Sequence, residues 1–267
     1  MSKKICIDAG HYGKINVSPT IPEYYESERM WELHLLLKKQ LERYGFEVIQ
    51  TRAKQEVNLG VELRGLVAKG CDLFLSLHSN AVASYTMDEN VDYPLAFVPL
   101  NGSADELGKL LSEVVAKVME TEQNGRVATR RFDEDENREL DYYGVIRGAV
   151  SVGVPAILLE HSFHTNSRIV RWLLDDKNLE RLAAAEARVI AEFFGVGDEP
   201  EDYPEWKARI VGAEELNVRE TPNGEVIGVI YSVTVIGEAP DSDGDIWYKV
   251  RIGDGREGYV WPKYIER

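Results

Sequence analysis

The sequence has 267 residues, of which 44% are hydrophobic and 29% are charged, and its formal net charge is -15 at pH 7. This length allows one catalytic domain and one small domain, each with its own core. The acidic charge excludes a protein that neutralises nucleic-acid phosphates over a broad surface. No apolar run approaches the roughly 20 residues that cross a bilayer, so we expect no membrane insertion. Residues 1–11 contain two lysines but no apolar stretch of the kind found in a signal peptide.

The first two thirds of the sequence alternate between strand and helix patterns. This alternation predicts βαβ units and an α/β fold, with a mostly parallel, twisted sheet flanked by helices. Strand patterns occupy residues 4–7, 47–51, 72–77, 95–98 and 156–160, and helical patterns occupy residues 28–44, 59–69, 103–118, 167–174 and 179–194.

Local signals mark two helix boundaries and one long loop. Gly45 follows the first helix and is expected to end it. Ser103 and Glu106 have the spacing of a capping box, which predicts that Ser103 caps a helix. Residues 121–143 are charged and poor in aliphatic side chains, so we expect a surface loop that borders a substrate cleft.

The composition changes near residue 196 and indicates a domain boundary. Residues 196–206 mix glycine, proline and acidic residues without periodicity, which is typical of a linker. From residue 207 to residue 267, short β-rich runs alternate with turn signals, a pattern that predicts a small all-β barrel. The catalytic domain is therefore expected at residues 1–195.

Three side chains that can bind metals stand at the ends of predicted elements. His11 and His78 each end a strand, and Glu26 opens the first helix. Because parallel strands present their C-terminal ends along one edge, these side chains can converge there. Two imidazoles and one carboxylate leave a fourth position for water, which is the open ligand set of catalytic zinc. Other divalent ions also accept these ligands, so the spacing leaves the metal open.

A fourth residue, Glu160, ends the apolar run 156–160 and should emerge at the same sheet edge. Hydrolysis of an amide needs a base for the water proton and an acid for the departing amine, and one carboxylate can do both. Spacing alone leaves an alternative, in which the histidines make local hydrogen bonds and the glutamates are solvated at strand ends.

The order of these segments resembles that of zinc-dependent N-acetylmuramoyl-L-alanine amidases of the type-3 class. Four blocks between about residues 4 and 195 are similar: 7–11, the helix led by Glu26, 51–52 with Arg64 and 73–81, and 155–160 with 163–166. The resemblance implies that His11, Glu26 and His78 bind zinc and that Glu160 is catalytic. Glu23 is an alternative to Glu26 because it lies in the same short stretch. The sequence differs from the family pattern at Tyr12 and His161.

Other polar residues near these motifs have simpler interpretations. His34 lies among leucines and is expected to pack or to form a hydrogen bond within its helix. His161 is predicted to contact substrate, with a structural hydrogen bond as the alternative, and His164 is a weaker candidate for that role. Five more residues are expected to have structural roles. Arg52, Arg64 and Arg147 are expected to form ion pairs, and Asn80 and Asn166 are expected to hold loops together beneath the site by hydrogen bonds.

The C-terminal module resembles a bacterial SH3 domain over residues 214–265. The similar runs are 216–222, 227–230, 247–250 and 258–261. Such modules commonly bind peptidoglycan, so bacterial peptidoglycan is the expected partner. Exposed aromatic side chains on a small barrel can supply stacking area for a ligand. The alternative is that aromatic residues such as Trp247 and Tyr248 only alternate between core and surface, and the sequence leaves open which aromatic residues face a ligand.

The resemblance implies a peptidoglycan hydrolase. It would cleave the amide between N-acetylmuramic acid and L-alanine of the stem peptide, with zinc-activated water and Glu160 as general base. The alternatives are a zinc carboxypeptidase or endopeptidase acting on the stem, and an inactive wall-binding protein. Because residues 1–11 lack a signal peptide, we expect endolysin-like release from the cytoplasm to the wall, or a leader that is missing from this sequence. The oligomeric state, stem preference and target bacterium stay open.

Overall fold

The computed structural model describes residues 2–132, 140–196, 206–241, 245–252 and 255–266. The chain forms two compact units, Met1–Glu199 and Pro200–Arg267. The predicted linker at residues 196–206 lies almost entirely outside the described residues, as do residues 133–139 of the predicted loop.

The first unit contains a six-stranded sheet with the strand order β2-β1-β3-β6-β4-β5. All neighbouring strands are parallel except β4 and β6, which are antiparallel. The strands are β1 Lys4–Ala9, β2 Glu47–Gln50, β3 Leu73–Asn80, β4 Leu95–Phe97, β5 Arg126–Ala128 and β6 Ala156–Phe163. The mostly parallel sheet confirms the predicted α/β fold.

Six helices accompany this sheet among the described residues. They are α1 Glu26–Arg43, α2 Val61–Leu66, α3 Asp105–Met119, α4 Gly144–Ser151, α5 Ser167–Leu173 and α6 Asp176–Phe194. Side chains of successive strand residues point to opposite faces, so the sheet has two separate apolar layers. Ile157 and Leu159 belong to the core that includes α1, α3, α5 and α6. Ala156 and Leu158 belong to a second core that includes α4.

The boundary signals in the sequence had different outcomes. Gly45 has a φ of 85° and its N–H donates to the Glu42 carbonyl at 3.0 Å, which confirms its place at the end of α1. The predicted cap at Ser103 is wrong, because α3 begins at Asp105 after Ala104 and has no side-chain cap. The N–H of Ser103 instead donates to Asn101 Oδ1 at 3.0 Å, in a turn before the helix.

Two short elements were not predicted from the sequence. Strand β5 lies inside the segment that was expected to be a loop, and it pairs with β4 over three residues. Helix α4 follows that segment and has only eight residues, two of which are glycines with poor helix propensity. Strand β5 depends on pairing with β4, and α4 depends on packing against the sheet; local sequence patterns report neither contact.

The second unit is an antiparallel all-β domain. The seven strands found among its described residues have the order β13-β7-β10-β11-β12-β8-β9. They are β7 Trp206–Ile210, β8 Leu216–Arg219, β9 Val226–Ile230, β10 Val233–Pro240, β11 Ile246–Arg251, β12 Glu257–Val260 and β13 Ile265–Glu266, with a short 3-10 helix at Pro262–Tyr264. Val218, Val235, Val250 and Val260 are fully buried in its core. No helix in the described part of the chain is long and apolar enough to span a membrane.

Candidate metal centre and active-site cleft

His11, Glu26 and His78 converge at one edge of the parallel sheet. One nitrogen or oxygen atom from each residue lies within 4.8 Å of the other two. Glu26 Oε1 is 2.9 Å from His78 Nδ1 and 3.3 Å from His11 Nε2. Ligands about 2.0–2.1 Å from a tetrahedral ion lie about 3.3 Å from one another, so the donors fit a small ion with one open position. Glu23 is exposed and does not belong to this group.

The segment that follows β1 holds His11 against the other two residues. His11 has a φ of 58°, so the backbone turns sharply where the strand ends. A Cβ atom at Gly10 would lie 2.6 Å from His78 Nδ1 and 2.8 Å from the Leu77 carbonyl oxygen. Only glycine therefore allows β1 to pass this close to the His78 ring.

Two buried arginines bind the carbonyl groups of the same turn. Arg52 and Arg64 each donate to the carbonyl oxygens of Ala9 and His11. Asp8 is fully buried beside them, and its Oδ2 lies 3.5 Å from Arg64 Nη1. The structural roles that the sequence suggested for Arg52 and Arg64 agree with these contacts, since both guanidinium groups hold the backbone of the His11 turn.

Asn16 is part of the site and was not identified from the sequence. Its Nδ2 atom donates to Glu26 Oε2 at 2.6 Å and lies 3.0 Å from His11 Nε2. The backbone N–H of Ser79 donates to Glu26 Oε1 at 3.2 Å. A single asparagine in a loop has no sequence pattern that links it to distant ligands, so only the fold could show these contacts.

The electrostatics of the cluster favour an ionised Glu26. Burial alone would raise the pKa of the Glu26 carboxyl, but the hydrogen bonds and charges of His11 and His78 outweigh it and hold that pKa well below its ordinary value. Burial lowers the pKa of His78 despite the nearby carboxylate. Burial alone would lower the pKa of His11, but the hydrogen bond to Glu26 and the negative charges of Glu26 and Asp8 together outweigh it and raise that pKa.

Glu160 lies next to His78 across the sheet. The two residues are register partners on the parallel strands β3 and β6, so their side chains project from the same face. Glu160 is 8% exposed, and its Oε2 atom has no hydrogen-bond partner among the described residues. Burial and the negative charge of Glu26 raise the pKa of Glu160 well above its ordinary value. The two carboxyl groups of the site therefore have pKa values shifted in opposite directions.

The three potential ligands and Glu160 line one cleft with a volume of about 370 Å³. Its other walls combine apolar and polar side chains. They include Asn16, Val61, Ser79, Asn80, Ala81, Tyr85, Tyr143, Gly144, Val145, Leu158 and His164. Tyr143 is the last residue of the segment expected to border a cleft.

His161 does not line this cleft. It is fully buried, with Nδ1 2.9 Å from the His78 carbonyl oxygen and Nε2 2.7 Å from Glu186 Oε1 on α6. The predicted substrate contact is therefore not found, and the structural alternative describes this residue. The physical reason is strand alternation: Glu160 faces the cleft, so the next residue points to the opposite face.

Other sequence interpretations agree with the structure. His34 is buried, with Nδ1 bonded to the Trp31 carbonyl and Nε2 2.8 Å from Gln50 Nε2. Arg147 donates to Glu62 Oε1 at 2.8 Å. Asn166 caps α5 and also donates to the Glu89 carbonyl at 3.1 Å, so it ties a loop to the end of β6.

Comparison with known families identifies the first unit. The N-acetylmuramoyl-L-alanine amidase family Amidase_3 matches residues 5–192, which is most of the chain. The chain belongs to this family. Its activity is therefore that of an amidase that hydrolyses peptidoglycan. The bacterial SH3 domain family SH3_3 matches residues 214–266. A comparison with curated proteins found no match.

Solved structures of amidases share the fold of the amidase domain. The catalytic domain of CwlV from Bacillus (Paenibacillus) polymyxa is 22% identical, with a TM-score of 0.59 over 73% of this chain and 99% of that one. An N-acetylmuramoyl-L-alanine amidase from Clostridium difficile 630 is 19% identical, with a TM-score of 0.61 over 74% of this chain and 99% of that one. AmiC2 of Nostoc punctiforme is 20% identical, with a TM-score of 0.59 over 72% and 97%.

Proposed function

We propose that His11, Glu26 and His78 hold a zinc ion and that Glu160 is the general base and general acid of the amidase. The bond cleaved would be the amide between the lactyl group of N-acetylmuramic acid and L-alanine. The observation that carries this proposal is the convergence of the three donor atoms within 4.8 Å in a cleft that Glu160 also lines.

The donor set fits zinc. Two imidazole nitrogens and one carboxylate oxygen form a three-residue set with an open position. When bound, zinc would supply a Lewis acid that polarises the scissile carbonyl and lowers the pKa of water. The protein fixes the donors by hydrogen bonds: Ser79 and Asn16 each donate to Glu26, and Arg52 and Arg64 hold the His11 turn.

Glu160 has the properties of a group that exchanges a proton with water or substrate. Burial raises the pKa of its carboxyl group. Its Oε2 atom has no hydrogen-bond partner among the described residues, so it is available to a water molecule or a substrate. Glu160 takes a proton from the attacking water as the water oxygen bonds to the carbonyl carbon. It then gives that proton to the L-alanine nitrogen as the C–N bond breaks, so the stem leaves with a free amine.

Digestion of purified peptidoglycan tests the bond that is cleaved. The amidase should release stem peptides whose new amino terminus is L-alanine, detected by amine labelling and mass spectrometry. A stem peptidase would create amines on other residues, and an inactive wall-binding protein would release none. Either of these two results would contradict the proposal.

The SH3 domain is proposed to hold the enzyme on the insoluble wall. An attached binding domain raises the local concentration of cleavable bonds without changing the chemical step. A fragment that ends at Gly195 retains every proposed catalytic residue and should cleave soluble muropeptides about as fast as the full chain, but lyse walls more slowly. Equal loss on both substrates, with zinc and fold intact, would show that the SH3 domain helps to build the active site.

A further inference from the structure

His164 is a buried histidine in the cleft wall with an unused ring nitrogen. The side chain is 1% exposed and lines the same cleft as His11, Glu26, His78 and Glu160. Its Nε2 atom has no hydrogen-bond partner among the described residues. Buried polar atoms are nearly always paired, so an unpaired one in a substrate cleft indicates a partner that arrives with the ligand.

The ring of His164 is held in one orientation. Nδ1 lies 2.8 Å from the Ser79 carbonyl oxygen and 3.0 Å from Ser79 Oγ. The Tyr24 ring stacks on the His164 ring with 5.9 Å between the ring centres, and the Tyr85 ring meets it edge-on with 5.7 Å between the ring centres. A carbonyl oxygen can only accept, so Nδ1 carries the hydrogen and the neutral ring presents a lone pair at Nε2. Burial lowers the pKa of His164, which agrees with a neutral ring.

Ser79 places this acceptor next to the candidate metal ligands. Its N–H donates to Glu26 Oε1 at 3.2 Å, while its carbonyl oxygen accepts from His164 Nδ1 at 2.8 Å. The same residue of β3 therefore contacts both Glu26 and His164. Because successive Cα atoms are about 3.8 Å apart, the His164 ring lies about one residue's length of backbone from the ligand cluster. A substrate whose scissile amide lies at the ligand cluster would bring its next peptide group near the His164 ring.

We propose that His164 Nε2 accepts a hydrogen bond from the peptide N–H that follows L-alanine in the stem. This inference rests on the proposed function, because it requires the lactyl–L-alanine amide to lie at the ligand cluster. His164 is then a substrate-positioning residue that selects a peptide over a ligand without this donor. Such a site rejects an analogue that lacks the donor, because the buried acceptor would stay unpaired.

The test uses two soluble substrates, an N-acetylmuramoyl dipeptide and the same compound with that N–H methylated. For the natural chain, methylation should raise KM about tenfold, the effect of one lost hydrogen bond to a buried acceptor. His164→Leu should raise KM about tenfold on the unmethylated substrate, leave kcat nearly unchanged and no longer distinguish the two compounds. His164→Gln, which offers an acceptor oxygen at a similar reach, should recover part of the binding. Binding can also be measured without turnover in the Glu160→Gln background. By calorimetry, the double variant Glu160→Gln/His164→Leu should bind the unmethylated substrate about tenfold more weakly than Glu160→Gln alone.

His34→Leu is the matched control, since it removes a buried histidine whose contacts are outside the cleft. It should leave KM unchanged. An unaltered KM in a folded, zinc-loaded His164→Leu variant would overturn the proposal. A raised KM with the same sensitivity to methylation as the natural chain would also overturn it, because the donor would then be another group such as a sugar hydroxyl. Failure of the natural chain to free L-alanine amines would instead refute the proposed function and this inference with it.

Discussion

Glu186 and His161 form a fully buried pair in which Glu186 Oε1 lies 2.7 Å from His161 Nε2. The other ring nitrogen of His161 is 2.9 Å from the carbonyl oxygen of His78. Helix α6 is thereby connected through β6 to the end of β3, where one of the candidate metal ligands lies. A buried pair of this kind stabilises a protein only while both partners are present, because either one alone leaves an unpaired polar group.

We predict that Glu186→Leu lowers the free energy of unfolding by about 3–5 kcal/mol, the usual cost of removing one partner of a buried pair. The double variant His161→Leu/Glu186→Leu should lose less than the sum of the single variants. Urea unfolding of all three variants measures this coupling. Lys109→Ala, which removes an exposed pair with Glu113, is the control and should change stability by less than about 1 kcal/mol. Additive losses at positions 161 and 186 would contradict the pairing.

Zinc analysis should distinguish Glu26 from Glu23. The natural chain is expected to bind about one zinc ion per chain, and a chelator should abolish wall lysis until zinc is returned. Glu26→Ala should lose the metal, because it removes the carboxylate that touches both histidines. Glu23→Ala, an exposed position in the same stretch, should retain it. Elemental analysis of the purified variants gives the answer, and full activity in metal-free protein would refute the ligand assignment.

Glu160→Gln should lower kcat by about 10²- to 10⁴-fold, the usual contribution of a general acid–base group. The amide keeps the shape of the side chain but cannot accept the water proton. Because Glu160 is outside the three-residue ligand set, the variant should keep its zinc and its unfolding midpoint. Steady-state kinetics on a soluble muropeptide and elemental analysis are the two measurements. Loss of zinc would reassign Glu160 as a ligand, and normal turnover would place the base elsewhere.

Gly10→Ala should weaken zinc binding although residue 10 is not a ligand. The added methyl group would lie 2.6 Å from two atoms of the His78 ring, so the ring or the backbone at residue 10 must shift and the arrangement of the ligand atoms must change. Gly60→Ala is the matched control, since a Cβ there meets only Leu63 at 3.9 Å. Zinc affinity, measured by competition with a chromogenic chelator, should fall at least about tenfold for Gly10→Ala and not for Gly60→Ala. Equal affinities would show that the His78 ring tolerates the contact.

His34 should make the protein less stable in mild acid. Burial lowers the pKa of His34 from 6.5 to about 4. Between these two pKa values the unfolded chain binds a proton at His34 that the folded chain does not. The free energy of unfolding therefore has no penalty from His34 above pH 6.5, and it falls as the pH drops toward 4. His34→Leu removes this group, and the natural chain should lose about 2 kcal/mol more than the variant between about pH 7.5 and pH 5. Urea unfolding at several pH values measures the difference, and parallel curves would contradict it.

The sequence by itself determined the order of most elements, though not β5 and α4, and most of the proposed site. His11, His78 and Glu160 each stand at the end of an apolar strand run, and the ends of parallel strands share one edge of a sheet. This argument needs only periodicity and strand direction, which are local properties. The SH3 domain was similarly visible from short runs separated by turns. Zinc, the roles of the site residues and endolysin-like release stay predictions.

Only the tertiary structure decided which neighbouring side chains reach the cleft. Glu26 and Glu23 are three residues apart, and the start of α1 at Glu26 brings one to the histidines and leaves the other exposed. Beyond Glu160, strand β6 contains one more residue than β3 between paired positions, since Glu160 pairs with His78 and Phe163 with Asn80. Such a bulge interrupts the period of two, so the alternation that turns His161 toward α6 cannot be extended to His164, which follows the bulge and lines the cleft. Side-chain direction at this point depends on register with a distant strand, and register is set by packing of the whole sheet.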